Sequence, residues 1–71
     1  MAMDARDGVR WLIQHSGMKQ RAVAEKAGLT EQKMCDIVNK RRKLDANELF
    51  AICKAVGVTP DAVFEYCQLD K

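Results

Sequence analysis

Residues 20–39 decide how the rest of this chain folds, and they read QRAVAEKAGLTEQKMCDIVN. The first part predicts a short helix over residues 20–27 that stops at Gly28, because glycine readily adopts the left-handed conformation that ends many helices. Thr30 then offers a hydroxyl N-cap for a second helix over residues 31–39. Two helices joined by so short a connection must cross steeply, so the pattern predicts a helix-turn-helix.

The two predicted helices have clearly separated apolar and polar faces. The apolar residues that can close the wedge between them are Val23, Ala27, Leu29, Met34, Ile37 and Val38, with Ala24 small enough for close approach. On the second helix an outward polar stripe has helical spacing and consists of Glu31, Gln32, Cys35, Asp36 and Asn39. A polar stripe on a short helix that a rigid turn holds outward suits the reading of base edges in a DNA major groove.

Length and charge place this helix pair in a single small domain. The chain has 71 residues, and we expect one domain over residues 1–71, with a core at about 5–67 and loose termini at 1–3 and 69–71. The net charge is only +2, yet residues 18–43 have a net charge of +5 and residues 44–71 a net charge of −3. Positive charge concentrated on the helix-turn-helix indicates a polyanionic partner.

Cysteine usage and hydropathy exclude several classes of protein. Cys35, Cys53 and Cys67 form no CxxC pair, which argues against a disulfide framework or a metal site. Free thiols in a reducing cytoplasm are the expectation. No apolar run approaches the roughly 18 residues of a membrane span, and the polar N-terminus does not resemble a signal peptide.

Enzymatic chemistry finds little support. His15 is the only histidine, and its neighbour Ser16 cannot form a nucleophile–base pair with it on one helix face. The chain has no glycine-rich phosphate loop and no paired metal ligands. We therefore expect no catalytic residues, no cofactor and no small-molecule ligand.

Start signals predict three further helices, over residues 4–16, 46–56 and 60–67, so the predicted fold is all-α with five helices. Four times an apolar residue precedes a helix start and another follows five positions later, as in a hydrophobic staple. These pairs are Met18/Val23, Leu29/Met34, Leu44/Leu49 and Val58/Val63. The matching N-caps are Lys19, Thr30, Asp45 and Thr59, of which only Lys19 cannot accept a hydrogen bond. In the helix over residues 46–56, core spacing is shown by Leu49, Phe50, Ile52, Cys53 and Val56.

Residues 20–39 resemble the helix-turn-helix of the XRE family, the phage repressor and Cro type. The family pattern has an apolar residue followed by alanine, a glycine four residues later and then another apolar residue; here these are Val23, Ala24, Gly28 and Leu29. The likeness extends over about residues 9–64 and implies a five-helix, lambda-repressor-like domain of a bacterial or phage regulator, cytoplasmic and associated with the nucleoid. Lys40 stands where the family usually has glycine, so either the helix continues through it or it bears left-handed strain.

The resemblance also implies which residues contact DNA. Positions that reach base edges are occupied by Glu31, Gln32, Lys33 and Asp36. Positions at or beside phosphate contacts are occupied by Lys19, Gln20, Arg21, Asn39, Lys40, Arg41, Arg42 and Lys43. The implied partner is double-stranded DNA with a palindromic operator, bound by a homodimeric transcriptional repressor.

Three alternatives stay open from the sequence. Phe64, Tyr66 and Leu69 form either the dimer contact or a patch that packs back on the first helix. Trp11 lies off the apolar stripe of the first helix, and its ring either folds over the edge of that helix or the C-terminal segment, or contacts a partner. The alternative function is a protein-interaction or antitoxin-like module on the same fold, against which the four consecutive bases of residues 40–43 argue.

One pair of residues departs from the family together. Many relatives have an arginine near the end of the first helix and a glutamate near the end of the third, and the aligned residues here are Ile13 and Val38. Each falls on the apolar side of its helix. We hypothesise that the two side chains touch and join the third helix to the first.

Overall fold

A computed structural model describes residues 4–69, and this part of the chain forms five α-helices and no strand. The helices are α1 (Ala5–His15), α2 (Gln20–Ala27), α3 (Glu31–Val38), α4 (Ala46–Val56) and α5 (Pro60–Leu69). The all-α, five-helix prediction is confirmed. Helix α5 runs two residues beyond its predicted end, so Leu69, expected in a loose terminus, is helical; the other expected loose residues lie outside the described part.

The helices begin at the predicted caps. The hydroxyl groups of Thr30 and Thr59 accept hydrogen bonds from first-turn N–H groups at 3.1 and 3.3 Å. Asp45 and Glu48 form a complete capping box, each side chain accepting from the other's backbone N–H. Lys19 makes no side-chain cap bond, as predicted, so the start of α2 lacks one source of stabilisation.

The core lies between the inward faces of all five helices. Its buried apolar residues are Val9, Leu12, Ile13, Val23, Ala24, Met34, Ile37, Val38, Leu49, Ile52, Cys53 and Val63. The leading residues of the four staples pack against this core, namely Met18, Leu29, Leu44 and Val58. Placing Phe50 in the core was wrong, because its side chain is 56% exposed. It lies one residue past Leu49, about 100° round the helix and outside the buried face.

Helices α1 and α5 approach each other more closely than the sequence analysis foresaw. Gly8 is buried in α1, and a Cβ there would collide with the carbonyl oxygen of Val63 and lie 2.8 Å from the Cys67 Sγ. The Cys67 thiol donates to the Asp4 carbonyl at 3.2 Å, and burial raises the pKa of that thiol. Cys67 thus occupies the space that the missing Cβ leaves.

An aromatic stack covers the other end of the α1–α5 contact. The Trp11 ring lies 4.4 Å from the Tyr66 ring and 4.0 Å from the His15 ring, measured between ring centroids. The first alternative for Trp11 is therefore confirmed: it folds over α1 and the C-terminal helix. Tyr66 packs back on α1 through this contact.

Candidate nucleic-acid interface

The turn between α2 and α3 closes through the backbone of Gly28. Gly28 has φ 75°, its N–H donates to the Glu25 carbonyl at 3.2 Å, and the Leu29 N–H donates to the Ala24 carbonyl at 2.9 Å. This pair of bonds is a Schellman motif, which requires a left-handed residue. No atom lies within 4 Å of the position a Cβ would take on Gly28. The backbone conformation alone, and not crowding, therefore favours glycine here.

Buried side chains beneath the turn hold α3 in place. Val23 of α2 and Met34 and Ile37 of α3 are fully buried. With one face packed this way, the opposite face of α3 is directed outward. Glu31, Gln32 and Lys33 are exposed there, and Cys35 and Asp36 are half-buried. The residues predicted to read bases are therefore accessible on a firmly packed helix.

Asp36 accepts hydrogen bonds from two polar side chains on the outward side of α3. Its Oδ1 accepts a hydrogen bond from the Gln32 Nε2 at 3.0 Å and from the Arg41 Nε at 3.2 Å. The same Arg41 guanidinium donates from Nη2 to the Cys35 Sγ at 3.3 Å. The Asn39 amide contacts that sulfur too, also at 3.3 Å, and donates to the Cys35 carbonyl at 2.9 Å. Arg41 thus lies against the outward face of α3, although it belongs to the following loop.

The start of α2 presents predicted phosphate contacts without strong internal partners. Lys19 and Arg21 are exposed and Gln20 is half-buried. Arg21 pairs with Glu25 through Nε and Oε1 at 3.5 Å, and both side chains are about 70% exposed. Ion pairs this exposed contribute little and exchange readily with solvent, so these groups remain accessible to an external anion.

The loop after α3 begins with a strained lysine held by α1. Helix α3 ends at Val38, and Lys40 has φ 61°, so the second of the two alternatives for Lys40 is confirmed. The Lys40 Nζ lies 2.7 Å from the Asp7 Oδ1 and 3.7 Å from the Asp4 Oδ2. The Asp7 carboxylate raises the pKa of Lys40. Because the Asp7 Oδ1 is a buried atom, this ammonium partner also offsets its desolvation.

The next bases of the loop differ in their partners. Arg42 pairs with Glu48 through Nη2 and Oε2 at 3.1 Å, and its carbonyl accepts from the Arg6 Nη1 at 3.1 Å. Lys43 is exposed and makes no ion pair with another described residue. Of the four consecutive bases, Lys43 is thus the one whose charge is most available to an external anion.

The acidic partners at the start of α1 form a tight group. The Asp4 carboxylate accepts from the Arg6 Nε at 2.9 Å and from the Arg6 Nη2 at 2.8 Å. These hydrogen bonds, with a further contribution from Lys40, lower the pKa of Asp4 to about 2. The sequence analysis did not foresee that Asp4 and Asp7 reach the loop more than thirty residues away. Among the acids that pair with the loop, only Glu48 has a local sequence signal, because it lies three residues after Asp45 and forms a capping box with it.

The predicted dimer residues are not equivalent in the folded chain. Phe64 is 43% and Leu69 59% exposed, whereas Tyr66 is half-buried against Trp11. Phe64 and Leu69 are therefore the two that offer apolar surface on α5.

Two searches of the described part of the chain gave negative results. Residues 4–69 contain no group of three or more histidine, cysteine or acidic side chains that could hold a metal ion. Over the same residues, every helix is too short or too polar to cross a lipid bilayer.

Comparison with known proteins agrees with this geometry. The model of the Cro/C1-type HTH DNA-binding domain matches residues 9–68, which include α2, α3 and α4 entirely and most of α1 and α5. Searches of curated proteins and of solved structures gave no significant match. The resemblance that Val23, Ala24, Gly28 and Leu29 first indicated is therefore confirmed. The chain belongs to the Cro/C1-type helix-turn-helix family of DNA-binding domains, whose function is transcription regulation.

Proposed function

We propose that this domain is a transcriptional repressor that reads a specific duplex DNA site by placing α3 in the major groove. Gln32 would pair with adenine, and Glu31 and Lys33 would contact neighbouring base edges. The observation that supports this most directly is the packing of α3. Its inner face is fully buried while Glu31, Gln32 and Lys33 are exposed, so a rigid helix presents hydrogen-bonding groups outward.

The basic and amide side chains around α3 would fix the helix on the DNA backbone. Lys19, Gln20, Arg21 and Asn39 flank the two ends of the helix-turn-helix, and Lys43 follows in the loop. Phosphate contacts of this kind set orientation and carry most of the salt dependence, whereas base contacts set sequence. Lys40 and Arg42 reach phosphate only by leaving their carboxylate partners, so we expect them to contribute less than Lys43.

We further propose that the domain binds as a homodimer on a palindromic operator. One short recognition helix has a small footprint, and Phe64 and Leu69 leave apolar surface exposed on α5. In such a dimer the two α3 helices would lie about 34 Å apart, so that they meet successive major grooves. Native mass measurement of the complex on its best site would give two chains per duplex; one chain on a non-palindromic site would refute the dimer.

Selection from a random duplex pool, followed by salt-titrated binding, tests the repressor proposal. Gln32→Ala should change the selected sequence and cost about 1–3 kcal/mol on the best site. Lys43→Ala should weaken binding to all duplexes similarly and lower the magnitude of the log–log salt slope by about 0.9. Lys54→Ala, which removes an exposed base on α4, is the matched control and should leave the slope unchanged. Absence of any DNA binding by the wild type at low salt would overturn the proposal.

A protein-interaction module is the second candidate, and one observation favours it. Each of three consecutive basic residues, Lys40, Arg41 and Arg42, forms an ion pair with a carboxylate of the same chain. The run of positive charge is therefore weaker evidence for a polyanionic partner than the sequence suggested. Such a module would show no selected DNA sequence and no steep salt slope, which the same binding experiment measures.

A further inference from the structure

The position of Arg41 suggests more than a phosphate contact. Arg41 follows α3 in the chain, but its guanidinium lies on the outward face of that helix, against Asp36 and Cys35. A basic side chain that only contacts phosphate would not have to lie on the face of α3 that faces the DNA bases. We infer that Arg41 is a guanine-reading residue, and that Asp36 is the positioning residue that holds it there. This inference rests on the proposed DNA binding.

The hydrogen bonds leave the right part of the guanidinium free. Asp36 takes the Nε–H and Cys35 takes one hydrogen of Nη2. Arginine has five N–H donors in a fixed planar fork, so both hydrogens of Nη1 and the outer one of Nη2 remain. Two parallel N–H groups at the end of the guanidinium are the donors that pair with O6 and N7 of guanine.

The partner groups also reduce the cost of using this side chain. A free arginine loses considerable rotamer freedom when it is fixed against a base. The Asp36 carboxylate and the Cys35 sulfur already restrict Arg41 in the unbound protein. Asp36 in addition neutralises part of its charge, which lowers attraction to phosphate in general while leaving directional hydrogen bonding in place. This arrangement favours sequence discrimination over non-specific affinity.

Gln32 is held by the same Asp36 carboxylate and can read a second nucleobase. Its Nε2 donates one hydrogen to the Asp36 Oδ1 and keeps the other, while its Oε1 has no partner among the described residues. These are the donor and acceptor that pair with N7 and N6 of adenine. Because Asp36 Oδ1 holds both side chains, Gln32 and Arg41 should read an adenine and a guanine on neighbouring base pairs.

This assignment differs from the roles that the family resemblance implied. There Asp36 reads a base edge and Arg41 contacts phosphate. A carboxylate can only accept, so the base that Asp36 would read is a cytosine, through its amino group. In the structure the Asp36 Oδ1 already accepts two hydrogen bonds, and this leaves it poorly suited to read a base through that oxygen. The two assignments make opposite predictions for sequence preference.

Selected binding sites of variants separate the two assignments. Arg41→Ala should abolish the preference for guanine at one position of the half-site, losing about tenfold or more on the best site and little on sites that lack that guanine. Arg41→Lys keeps the charge but loses the planar fork and the Nε–H that Asp36 holds, so it should restore only part of the preference for guanine. Arg21→Ala is the matched control, since it removes an exposed arginine from α2 and should weaken all duplexes alike. Replacing the guanine by 7-deazaguanine, which lacks N7, should weaken the wild type but not Arg41→Ala.

The role of Asp36 is tested by a double-mutant cycle. Asp36→Ala should lower discrimination at the same guanine, and in the Arg41→Ala background it should add no further loss at that base pair. Because Asp36 also holds Gln32, discrimination at the neighbouring adenine should fall in both backgrounds. Circular dichroism melts of each variant establish that it is folded at the binding temperature. If Asp36→Ala changes preference only at a base pair that neither Arg41 nor Gln32 reads, then Asp36 reads a base itself and the positioning role is wrong.

Other outcomes overturn the Arg41 assignment without touching the proposed function. A uniform loss on all duplexes in Arg41→Ala, with a smaller salt slope and an unchanged selected site, would make Arg41 a phosphate contact. Full recovery of that uniform loss by Arg41→Lys would support the same conclusion, since lysine supplies the charge without the planar fork. Failure of the wild type to select any sequence would instead refute the repressor proposal on which this inference rests.

Discussion

The ends of α2 and α3 have the same backbone motif but are built from different residues. In each, a left-handed residue donates to the carbonyl three positions back, and the next residue donates to the carbonyl five positions back. At the end of α2 the left-handed residue is Gly28, with φ 75°; after α3 it is Lys40, with φ 61°. A side chain in this conformation costs roughly 1–2 kcal/mol, which glycine avoids.

Side-chain contacts explain why lysine is tolerated in the second case. The Lys40 ammonium lies 2.7 Å from the Asp7 Oδ1, so the residue that strains the turn also ties it to α1. Gly28 has no side chain, and the end of α2 depends on backbone bonds and on the core. The comparison teaches that one backbone requirement can be met either by removing the strain or by offsetting it with a contact elsewhere in the chain.

The hypothesised contact between Ile13 and Val38 should attach α3 to α1 more strongly than the Lys40 ion pair does, and breaking it should have the largest effect. Ile13 and Val38 are 8% and 7% exposed and belong to the same core cluster. Val38→Glu should lower the free energy of unfolding by roughly 3 kcal/mol or more, because it buries an unpaired carboxylate. Urea melts measure this loss. Phe50→Glu, at an exposed site, is the matched control and should change stability by about 0.5 kcal/mol or less.

Restoring the second charge tests whether the two residues touch. Adding Ile13→Arg to Val38→Glu should recover much of the loss, since the buried carboxylate then has a partner. Additive losses in the double variant would show that Ile13 and Val38 do not form a replaced ion pair. In that case the ionic contact of Lys40 would be the main link between the end of α3 and α1.

Alanine substitution at the two left-handed positions should lower stability by different amounts, because glycine avoids the strain at one position and an ion pair offsets it at the other. Gly28→Ala should cost about 1–2 kcal/mol, all of it from backbone strain, because open space surrounds a Cβ there. Lys40→Ala keeps the existing strain and loses only the ion pairs, so it should cost less, about 0.5–1 kcal/mol. Thermal melts give both values. Equal losses would contradict the distinction drawn between the two turns.

The acidic residues that pair with the loop should make the free energy of unfolding of the protein depend on pH. The folded-state pKa of Asp4 is about 2, below its ordinary value of 3.8, so its charged form stabilises the fold at pH values above about 4. That stabilisation should disappear as the pH falls from about 4 to 2. The Asp4 side chain also caps α1 by accepting from the Arg6 backbone N–H at 3.0 Å, and Asp4→Asn keeps an oxygen for that bond. The substitution should therefore cost about 1 kcal/mol at pH 7 after solvent screening and almost nothing at pH 2. Asp61→Asn, which removes an exposed acid from α5, is the matched control.

Local chemistry explains what could be predicted from the sequence. Thr30, Asp45 and Gly28 act on residues within five positions, so their roles as caps and stop signals follow from residue type and spacing alone. Apolar periodicity likewise placed Val23, Met34 and Ile37 in the core. These features fix the five helices and the accessible face of α3.

Long-range contacts explain what could not be predicted. Gly8 looks unfavourable within a helix by its propensity, and only the approach of Val63 and Cys67 shows why a Cβ is excluded. The pairing of Asp7 with Lys40 depends on where α1 ends up relative to the loop. The proposed phosphate and base contacts followed from family resemblance, but which of the basic side chains pair with a carboxylate within the chain required the structure.

Replacing Lys40 by the usual glycine should have the smallest effect, and its sign should depend on salt. Lys40→Gly relieves roughly 1–2 kcal/mol of strain, but it adds about 0.5–1 kcal/mol of backbone entropy cost and loses an ion pair of about 0.5–1 kcal/mol. Stability should therefore barely change at low ionic strength. In 1 M salt the screening length falls to about 3 Å, which weakens the ion pair but not the strain, and the variant should then be the more stable protein. Urea melts of both proteins at each salt concentration measure the difference.

The Asp7→Asn background provides the control for that reversal. Without the carboxylate, Lys40 has lost its closest anion, so Lys40→Gly should stabilise the protein at every salt concentration. A loss of stability in Lys40→Gly that is equal at low and high salt would mean that something other than the Asp7 contact maintains the lysine in its left-handed conformation. The ends of α2 and α3 would then differ in residue type without differing in how the strain is offset.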